Sequence, residues 1–313
     1  MDFPISGAHI DPLYLILIGF VVGVLGGFFG VGGSFLAGPS LFALGVPMNF
    51  VVGTDLAHIV GKSIVAAKKH RVLGNVDIKL GMIMVIGTIA GVEIGAQLIQ
   101  WLKRMAHVDL AVGITFIVVL LGISTFMALE SWKTLQMNNK KKNKKISSDP
   151  QKEIGQEKKD DSAFSHISKW VQRIPLPPYI SLPASGLPRI SLWAILAVAL
   201  VGGFFSGFLG GGAGYIRMPA MVYLLGIPTH VAVGTDLFEI MISASYGTWT
   251  HAMKGNVDIL IALVMHTGAA IGAQIGAGFT QYFAGAKIRL AFIPLPLLGA
   301  AIIIYGLLTG KHH

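Results

Sequence analysis

Long runs of apolar residues, separated by short polar stretches, dominate the chain. Six runs have about 17 to 25 residues with few or no charges, which is the length a helix needs to cross a hydrocarbon core of roughly 30 Å. They are Leu13–Phe29, Lys79–Leu102, Val108–Ser131, Leu192–Leu209, Ile259–Phe283 and Leu290–Leu308. Because lipid offers no partner to backbone N–H and C=O groups, these runs are predicted to be membrane-spanning helices. The first run can span by itself and Met1–Pro4 has no Lys or Arg, so no cleavable signal peptide is predicted.

The composition agrees with an integral membrane protein. Of the 313 residues, 53% are hydrophobic and only 12% are charged, with a mean hydropathy of +0.69. A soluble domain has about 25% charged residues. The chain has no cysteine, which excludes disulfides, thiolate metal sites and cysteine nucleophiles.

Much of the net charge of +9 comes from one polar stretch. Between Glu130 and Arg173 there are 11 Lys and Arg residues against six acidic ones. Such a run can bind nucleic acid, but in a membrane protein it is more typical of a cytoplasmic loop near anionic headgroups. We therefore expect a cytoplasmic loop and no nucleic-acid partner.

The two halves of the chain repeat the same motifs in the same order. The matched pairs include a glycine-rich turn, the sequence Val-Gly-Thr-Asp-Leu and the sequence Gly-Asn-Val-Asp, at 30–36 and 210–216, 52–56 and 233–237, and 74–77 and 255–258. Such ordered coincidences indicate an internal repeat. We predict a first transmembrane repeat over residues 1–130, a basic linker over 131–190 and a second transmembrane repeat over 191–313.

Each repeat contains about five apolar segments, of which one is short. Ser34–Leu44 and Gly214–Leu225 each contain a proline and precede a Gly-Xaa-Pro sequence. They are too short to span alone and are predicted to be broken or re-entrant helices. In transporters, short interrupted segments at corresponding positions of two halves point to the binding site.

The relative orientation of the halves depends on whether the short segments cross. Five crossings per half give inverted halves, and four give parallel halves, so we predict 8 to 10 transmembrane helices. With the linker inside, the Lys and Arg count in the short loops and C-terminal tail is six inside to four outside in both cases. The N-terminus without basic residues favours an outside start, hence five crossings and inverted halves.

Taken together, the paired glycine-rich turns with a downstream proline, the paired Val-Gly-Thr-Asp-Leu and the paired Gly-Asn-Val-Asp resemble the TauE/SafE-type sulfite exporters, also called 4-toluene sulfonate uptake permeases (TSUP). The resemblance covers both repeats. It implies transport of sulfite or organosulfur anions such as sulfoacetate. Many members have Ser after Gly-Thr, where this chain has Asp55 and Asp236, and this difference bears on the substrate.

The glycine-rich turns are the first candidates for substrate binding. They contribute Gly30, Gly32, Gly33 and Ser34 in the first repeat and Gly211, Gly212 and Gly214 in the second. Glycine lets backbone N–H groups approach an anion, and a following helix start adds a positive dipole end. The alternative is a tight turn between packed helices.

Polar residues at helical spacing form the second candidate group. Thr54 with Asp55, and Thr235 with Asp236, are predicted to open the next helices, where capping is the simple alternative. Asp55, His58 and Lys62 share one helix face, and Asp236, Glu239 and Ser243 occupy the matching face. Because ionisable residues inside a membrane helix are functional candidates, we predict that these faces line the pathway, with His58, Lys62 and Glu239 in gating or ion coupling.

Three further predictions concern single residues and glycine stripes. Arg217 in the second short segment has Ala37 as its repeat partner, and its guanidinium can bind a sulfonate or form an ion pair with Glu239 or Asp236. Glu93 is a candidate for ion coupling or for an interhelical hydrogen bond. Asn75–Asp77 and Asn256–Asp258 are predicted helix caps, and the stripes Gly19/Gly23/Gly27, Gly87/Gly91/Gly95 and Gly268/Gly272/Gly276 are predicted packing surfaces.

The sequence therefore predicts an all-α, multi-pass protein of the cell membrane with two pseudo-symmetric repeats. Its predicted function is secondary transport, in the export direction, of a small sulfur-containing anion without cofactor or metal. A passive anion channel is the alternative, and a membrane-embedded enzyme is less favoured because no His-Glu-Xaa-Xaa-His and no cysteine are present. The predicted partners are the anion and the lipid bilayer, and the oligomeric state is not determined by the sequence.

Overall fold

Both halves of the chain follow the same order of helices in the computed structural model, which describes residues 1–105, 108–145, 165–173 and 175–309. The first half comprises α1 Pro12–Phe29, α2 Ser34–Ala43, α3 Met48–Val72, α4 Ile78–Arg104 and α5 Val108–Lys145. The second comprises α7 Leu192–Leu209, α8 Gly214–Ala220, α9 Thr229–Met253, α10 Ile259–Phe279, α11 Gly285–Phe292 and α12 Pro294–Thr309. This architecture is the predicted all-α one.

Short elements complete the described chain. The helix α6, Ser165–Gln172, lies in the polar stretch between the halves. Two small antiparallel hairpins join β1 Asp2–Phe3 to β2 Ala8–His9, and β3 Tyr179–Leu182 to β4 Leu187–Ser191. Single turns of 3₁₀ helix occur at Pro183–Ser185, Gly211–Ala213 and Thr280–Tyr282, and a π turn covers Met221–Leu225. The remaining linker residues and the end of the chain, including Lys311, lie outside the described residues.

Seven stretches of the described chain are helical, long and apolar enough to cross a membrane. They are Pro12–Phe29, Met48–Val72, Ile78–Arg104, Val108–Thr134, Leu192–Leu209, Ile259–Tyr282 and Gly285–Thr309. The helix α9 has 25 residues, as many as its counterpart α3, and packs along it. The multi-pass membrane fold is therefore confirmed.

The two short segments form the broken helices that the sequence predicts. In α2, Pro39 lies inside a helix of 10 residues, and Gly33 precedes it with a left-handed φ of 76°. In α8, Pro219 lies inside a helix of 7 residues, and the π turn that follows ends at Gly226. Proline removes a backbone donor and disturbs the helical ladder, which explains why both segments stay short.

The helix starts follow the sequence in one case and depart from it in another. Asp77 and Asp258 cap α4 and α10 as predicted, accepting hydrogen bonds from Leu80 N and from Leu260 and Ile261 N. The prediction that Thr54 and Thr235 open their helices is wrong. The helices α3 and α9 begin earlier, directly after Pro47 and Pro228, because proline lacks the N–H that a first turn leaves unpaired.

The glycine stripes pack helices against each other at backbone distance. A methyl group added at Gly23 would overlap the carbonyl oxygen of Ala269, and one added at Gly91 would overlap that of Leu200. The helices α1 and α10, and likewise α4 and α7, are thus held together by small residues, as predicted. Both pairs join one half to the other.

Contacts at the helix ends show how the halves are oriented. The start of α3 lies beside the end of α9, because Thr54 Oγ1 accepts a hydrogen bond from Asp258 N, and Thr235 Oγ1 does the same with Asp77 N at the other end. These helices are therefore antiparallel. His70 of α3 contacts Gly27 O near the end of α1, and His251 of α9 contacts Gly207 O near the end of α7. Consequently α1 and α7 run in opposite directions, as inverted halves require.

The five tryptophans of the chain fall at the two ends of the helical assembly. Trp132, Trp170 and Trp193 lie on the side of the β3–β4 hairpin, which we call the linker side, and Trp101 and Trp249 lie towards the opposite side. All five are more than half exposed. Tryptophan accumulates at membrane–water interfaces, so these residues mark the two surfaces of the bilayer.

Candidate functional site

The antiparallel pair α3 and α9 carries a concentration of buried polar residues at the contact between the halves. Asp55, His58 and Lys62 of α3, and Asp236 and Glu239 of α9, are all at most 1% exposed. A buried ionisable group in a membrane protein is expensive unless it is paired. Their partners are therefore the key to what this region can do.

The two glycine-rich turns meet in the same region. A methyl group at Gly32 would lie 3.2 Å from Gly211 O, and one at Gly214 would lie 2.6 Å from Val31 Cα. Gly30, Gly32, Gly33 and Gly212 all have left-handed φ angles, which glycine adopts at little cost. Each turn leads into a broken helix, so the starts of α2 and α8 face the contact between the halves. Ser34 begins α2.

On α3, three side chains form a polar group that we call the Asp55 cluster, together with His266 of α10. Nδ1 of His58 lies 3.5 Å from Oδ1 of Asp55 and 3.3 Å from Nζ of Lys62. The His266 ring packs against Gly61, where an added methyl group would overlap it. The spacing of the three α3 residues along one helix face accounts for their contacts.

A second group, which we call the Arg217 cluster, connects α8 to α9 and α4. Nε of Arg217 donates to Oδ1 of Asp236 at 2.8 Å, and Nη2 lies 2.6 Å from Oε2 of Glu239. Nη1 reaches Oγ1 of Thr88 at 3.4 Å. All three ionic side chains are completely buried. The guanidinium thus donates a hydrogen bond to Asp236 and forms an ion pair with Glu239, contacts with carboxylates for which arginine is suited.

The charges of the two clusters do not by themselves attract an anion. With neutral histidines, Lys62 and Arg217 face Asp55, Asp236 and Glu239, a formal sum of one negative charge. Arg217, predicted as an anion ligand, is here held by both acids that the sequence offered as alternative partners. An anion can reach its guanidinium only if a carboxylate moves away or takes up a proton.

Thr54 and Thr235 join the two halves rather than cap a helix. Each hydroxyl accepts a backbone hydrogen bond at 2.9 Å, from Asp258 N and Asp77 N respectively. The two bonds are equivalent under the repeat. They fix each end of the α3–α9 pair to the loop before the next helix.

Glu93 lies apart from both clusters. Its side chain is 34% exposed and pairs with Lys254 at 3.2 Å. Gln97, Tyr246 and Thr250 donate further hydrogen bonds to its carboxylate. This is the interhelical hydrogen bonding that the sequence offered as the alternative to ion coupling.

Two participants were not found from the sequence. Thr88 directly follows Gly87 of a packing stripe, and Tyr215 directly follows the second glycine-rich turn. Each residue is thus adjacent in sequence to a motif that the sequence analysis identified. The Tyr215 hydroxyl is buried near the Asp55 carboxylate, which brings α8 of one half to the cluster of the other. Only the helix packing reveals this proximity.

The chain is similar along most of its length to known membrane transporters. The sequence profile of the family described as sulfite exporter TauE/SafE matches residues 15–303. The probable membrane transporter protein YunE of Bacillus subtilis is 25% identical over 94% of this chain and 98% of its own length. The probable membrane transporter protein YdhB of the same organism is 23% identical over 94% of this chain and 100% of its own length.

A shorter match is closer in sequence. The probable membrane transporter protein MJ0441 of Methanocaldococcus jannaschii is 39% identical over 21% of this chain and 27% of its own length. No solved structure is significantly similar to the chain. The family match and the multi-pass fold lead to one conclusion: the chain belongs to the TauE/SafE sulfite exporter family and is a membrane transporter rather than an enzyme.

Proposed function

We propose that the protein exports a small sulfur-containing anion, such as sulfite, sulfoacetate or a related organosulfonate, across the cell membrane by secondary transport. The observation that carries the proposal is the meeting of the two glycine-rich turns between inverted halves, beside the buried clusters. Turns of this kind bring backbone N–H groups and helix starts to one point, where an anion can be held without a permanent cation. The description of the matched family as sulfite exporters supports the proposed substrate class.

The proposed binding residues are those of the two turns and their neighbours. They are Gly30, Gly32, Gly33, Ser34, Thr54, Asp55, Gly211, Gly212, Gly214, Arg217, Thr235 and Asp236. We assign gating or coupling to His58, Lys62 and Glu239, whose side chains are buried among them. Glu93 belongs to the separate network with Lys254 and takes no part in this proposal.

Full burial of the clusters supports a carrier over an open channel. The side chains of Asp55, Lys62, Arg217 and Asp236 have almost no solvent contact in this conformation. An ion therefore has to wait for the packing around α2 or α8 to open on one side. Alternating access by movement of one half against the other fits this requirement.

Flux into or out of proteoliposomes tests the proposal. The purified full-length protein is reconstituted and assayed with sulfite, sulfoacetate, thiosulfate, sulfate and an uncharged control. We expect saturable flux of one or more sulfur anions and none of the uncharged solute. Folded protein that moves none of these anions, or moves all solutes equally, contradicts the proposal, and single-channel currents would replace the carrier by a channel.

A matched pair of conservative variants localises the site. Arg217→Lys keeps the charge but loses the planar fork, so we expect anion flux to fall about tenfold or more. Arg104→Lys, at the end of α4, makes the same chemical change outside the site and should leave flux unchanged. Equal flux in both variants would remove Arg217 from the transport site.

A further inference from the structure

The short helix α6 has an inner face that is bonded to the second broken helix. Nε2 of Gln172 donates to the carbonyl oxygen of Leu225 at 2.8 Å, at the end of the π turn. The buried Ser168 lies against Gly226, where an added methyl group would be 3.1 Å from its Cβ. One face of α6 is thus fixed to the end of the broken segment Gly214–Leu225, which contains Arg217.

The outer face of α6 is both apolar and basic. Ile167, Lys169, Trp170 and Arg173 line one shallow surface groove, which we call the α6 groove. The Trp170 side chain is 68% exposed, although tryptophan is a residue that proteins usually cover. The α6 sequence, Ser-His-Ile-Ser-Lys-Trp-Val-Gln, contains no acidic residue. This face needs a partner that accepts an indole and two cations together.

The position of α6 places that face at the bilayer surface. The helix contacts β4, which leads directly into the membrane-spanning α7. Trp193, the second residue of α7, and Trp132, near the end of the apolar span Val108–Thr134 of α5, are also exposed at this side. An amphipathic helix at this level lies along the headgroups, with its aromatic residue in the boundary layer.

The distribution of Lys and Arg residues between the two sides indicates which kind of lipid the outer face of α6 meets. On the linker side the described chain presents Lys68, Lys69, Arg71, Lys79, Lys169, Arg173 and Arg189, whereas Lys103, Arg104 and Lys254 lie at the opposite side. The positive-inside rule therefore makes the linker side cytoplasmic, and the cytoplasmic leaflet is rich in anionic lipid.

We propose that the α6 groove binds the headgroup of an anionic phospholipid, with Lys169 and Arg173 on the phosphate and Trp170 beside the upper acyl chain. Through Gln172 and Ser168, the bound lipid steadies the cytoplasmic end of the broken helix that carries Arg217. The corresponding end of α2 in the first half lies on the opposite side of the membrane, where α6 does not reach it. The inference does not depend on which anion is transported.

Thermal unfolding of the detergent-solubilised full-length protein, titrated with lipid, tests the inference. We expect phosphatidylglycerol to raise the melting temperature in a saturable manner, and phosphatidylcholine or free glycerol phosphate to do so far less. In Lys169→Gln/Arg173→Gln the apparent affinity for phosphatidylglycerol should fall about tenfold or more, since each cation near the surface adds to the attraction. Both side chains are exposed, so the variant is expected to fold.

A matched control separates a site from general attraction. Lys68→Gln/Arg71→Gln removes the same two charges from exposed positions at the end of α3 on the same side, and should bind phosphatidylglycerol like the unaltered chain. An equal loss of affinity for phosphatidylglycerol in the two double variants overturns the inference. Stabilisation by phosphatidylcholine equal to that by phosphatidylglycerol overturns it too. A response to glycerol phosphate as strong as to the lipid would overturn it as well, because it would show a free-phosphate site.

Discussion

The Asp55 cluster and the Arg217 cluster occupy equivalent places in the two halves but are built differently. By the repeat alignment, Asp55 corresponds to Asp236, His58 to Glu239, Lys62 to Ser243 and Ala37 to Arg217. Both halves have an aspartate at this position, but their positively charged residues lie on different helices. In the first half the positively charged residue, Lys62, lies on α3. In the second half the positively charged residue, Arg217, lies on the broken helix α8.

This difference has a mechanical consequence. The contacts of Asp55, His58 and Lys62 lie within one helix, so α2 can shift against α3 without breaking them. Arg217 instead joins α8 to two acids of α9, and any shift of α8 must separate these ion pairs. As far as ion pairs are concerned, the second broken helix is thus the more strongly held of the two. We infer that opening on its side costs more free energy than opening on the side of α2.

Removing the tether should have the largest effect on stability. In Arg217→Met, Asp236 and Glu239 lose their shared cation while they stay buried, so we expect about 3–5 kcal/mol of destabilisation. Thermal and denaturant unfolding of the purified protein in detergent measure this. The triple variant Arg217→Met/Asp236→Asn/Glu239→Gln contains no buried charge in this cluster and should recover part of the loss. If Arg217→Met were as stable as the unaltered chain, the ion pairs of Arg217 would not hold α8 to α9 as stated.

Removing the cation of the other cluster should matter less. Lys62→Met leaves one carboxylate, Asp55, rather than two, and His58 stays within reach of it. The expected destabilisation is about 1–3 kcal/mol, the cost of a buried polar group that loses a partner. The same unfolding assay compares the two methionine variants directly. If Lys62→Met proved the more harmful, the stated difference between the clusters would be reversed.

The sequence predicted the fold well because its signals are local and repeated. Apolar runs marked the spans, Asp77 and Asp258 marked two helix starts, and the glycine stripes marked the packing faces. The contacts within the Arg217 cluster could be predicted only in part from the sequence. Arg217, Asp236 and Glu239 could be proposed as partners, but Thr88 comes from a helix far away in sequence, and its contact depends on how α4 packs beside α7 and α9.

The helix starts of α3 and α9 were misplaced for a related reason. Thr-Asp is a typical capping sequence, and the Gly-Xaa-Pro sequences that end at Pro47 and Pro228 are typical of the end of a segment. In the structure each proline is the N-cap residue of its helix. The threonine lies inside the helix, and its hydroxyl faces the other half. A hydrogen bond between halves leaves no mark in the local sequence, because its donor is a backbone N–H.

The two threonines offer the smallest and most symmetric test of the comparison between the halves. Thr54→Val and Thr235→Val each remove one hydroxyl acceptor and leave a buried N–H, of Asp258 or Asp77, without that partner. Each should cost about 1–2 kcal/mol, and the two values should agree within about 0.5 kcal/mol.

The double variant Thr54→Val/Thr235→Val completes this test. The threonines lie at opposite ends of α3 and α9, with no shared partner, so their effects should add. Additive and equal losses would show that the halves are equivalent in their framework and differ only where the cation stands. Unequal losses would show instead that the asymmetry of the clusters extends to the ends of α3 and α9. The ion pairs of Arg217 would then restrict the movement of α9 as well as that of α8.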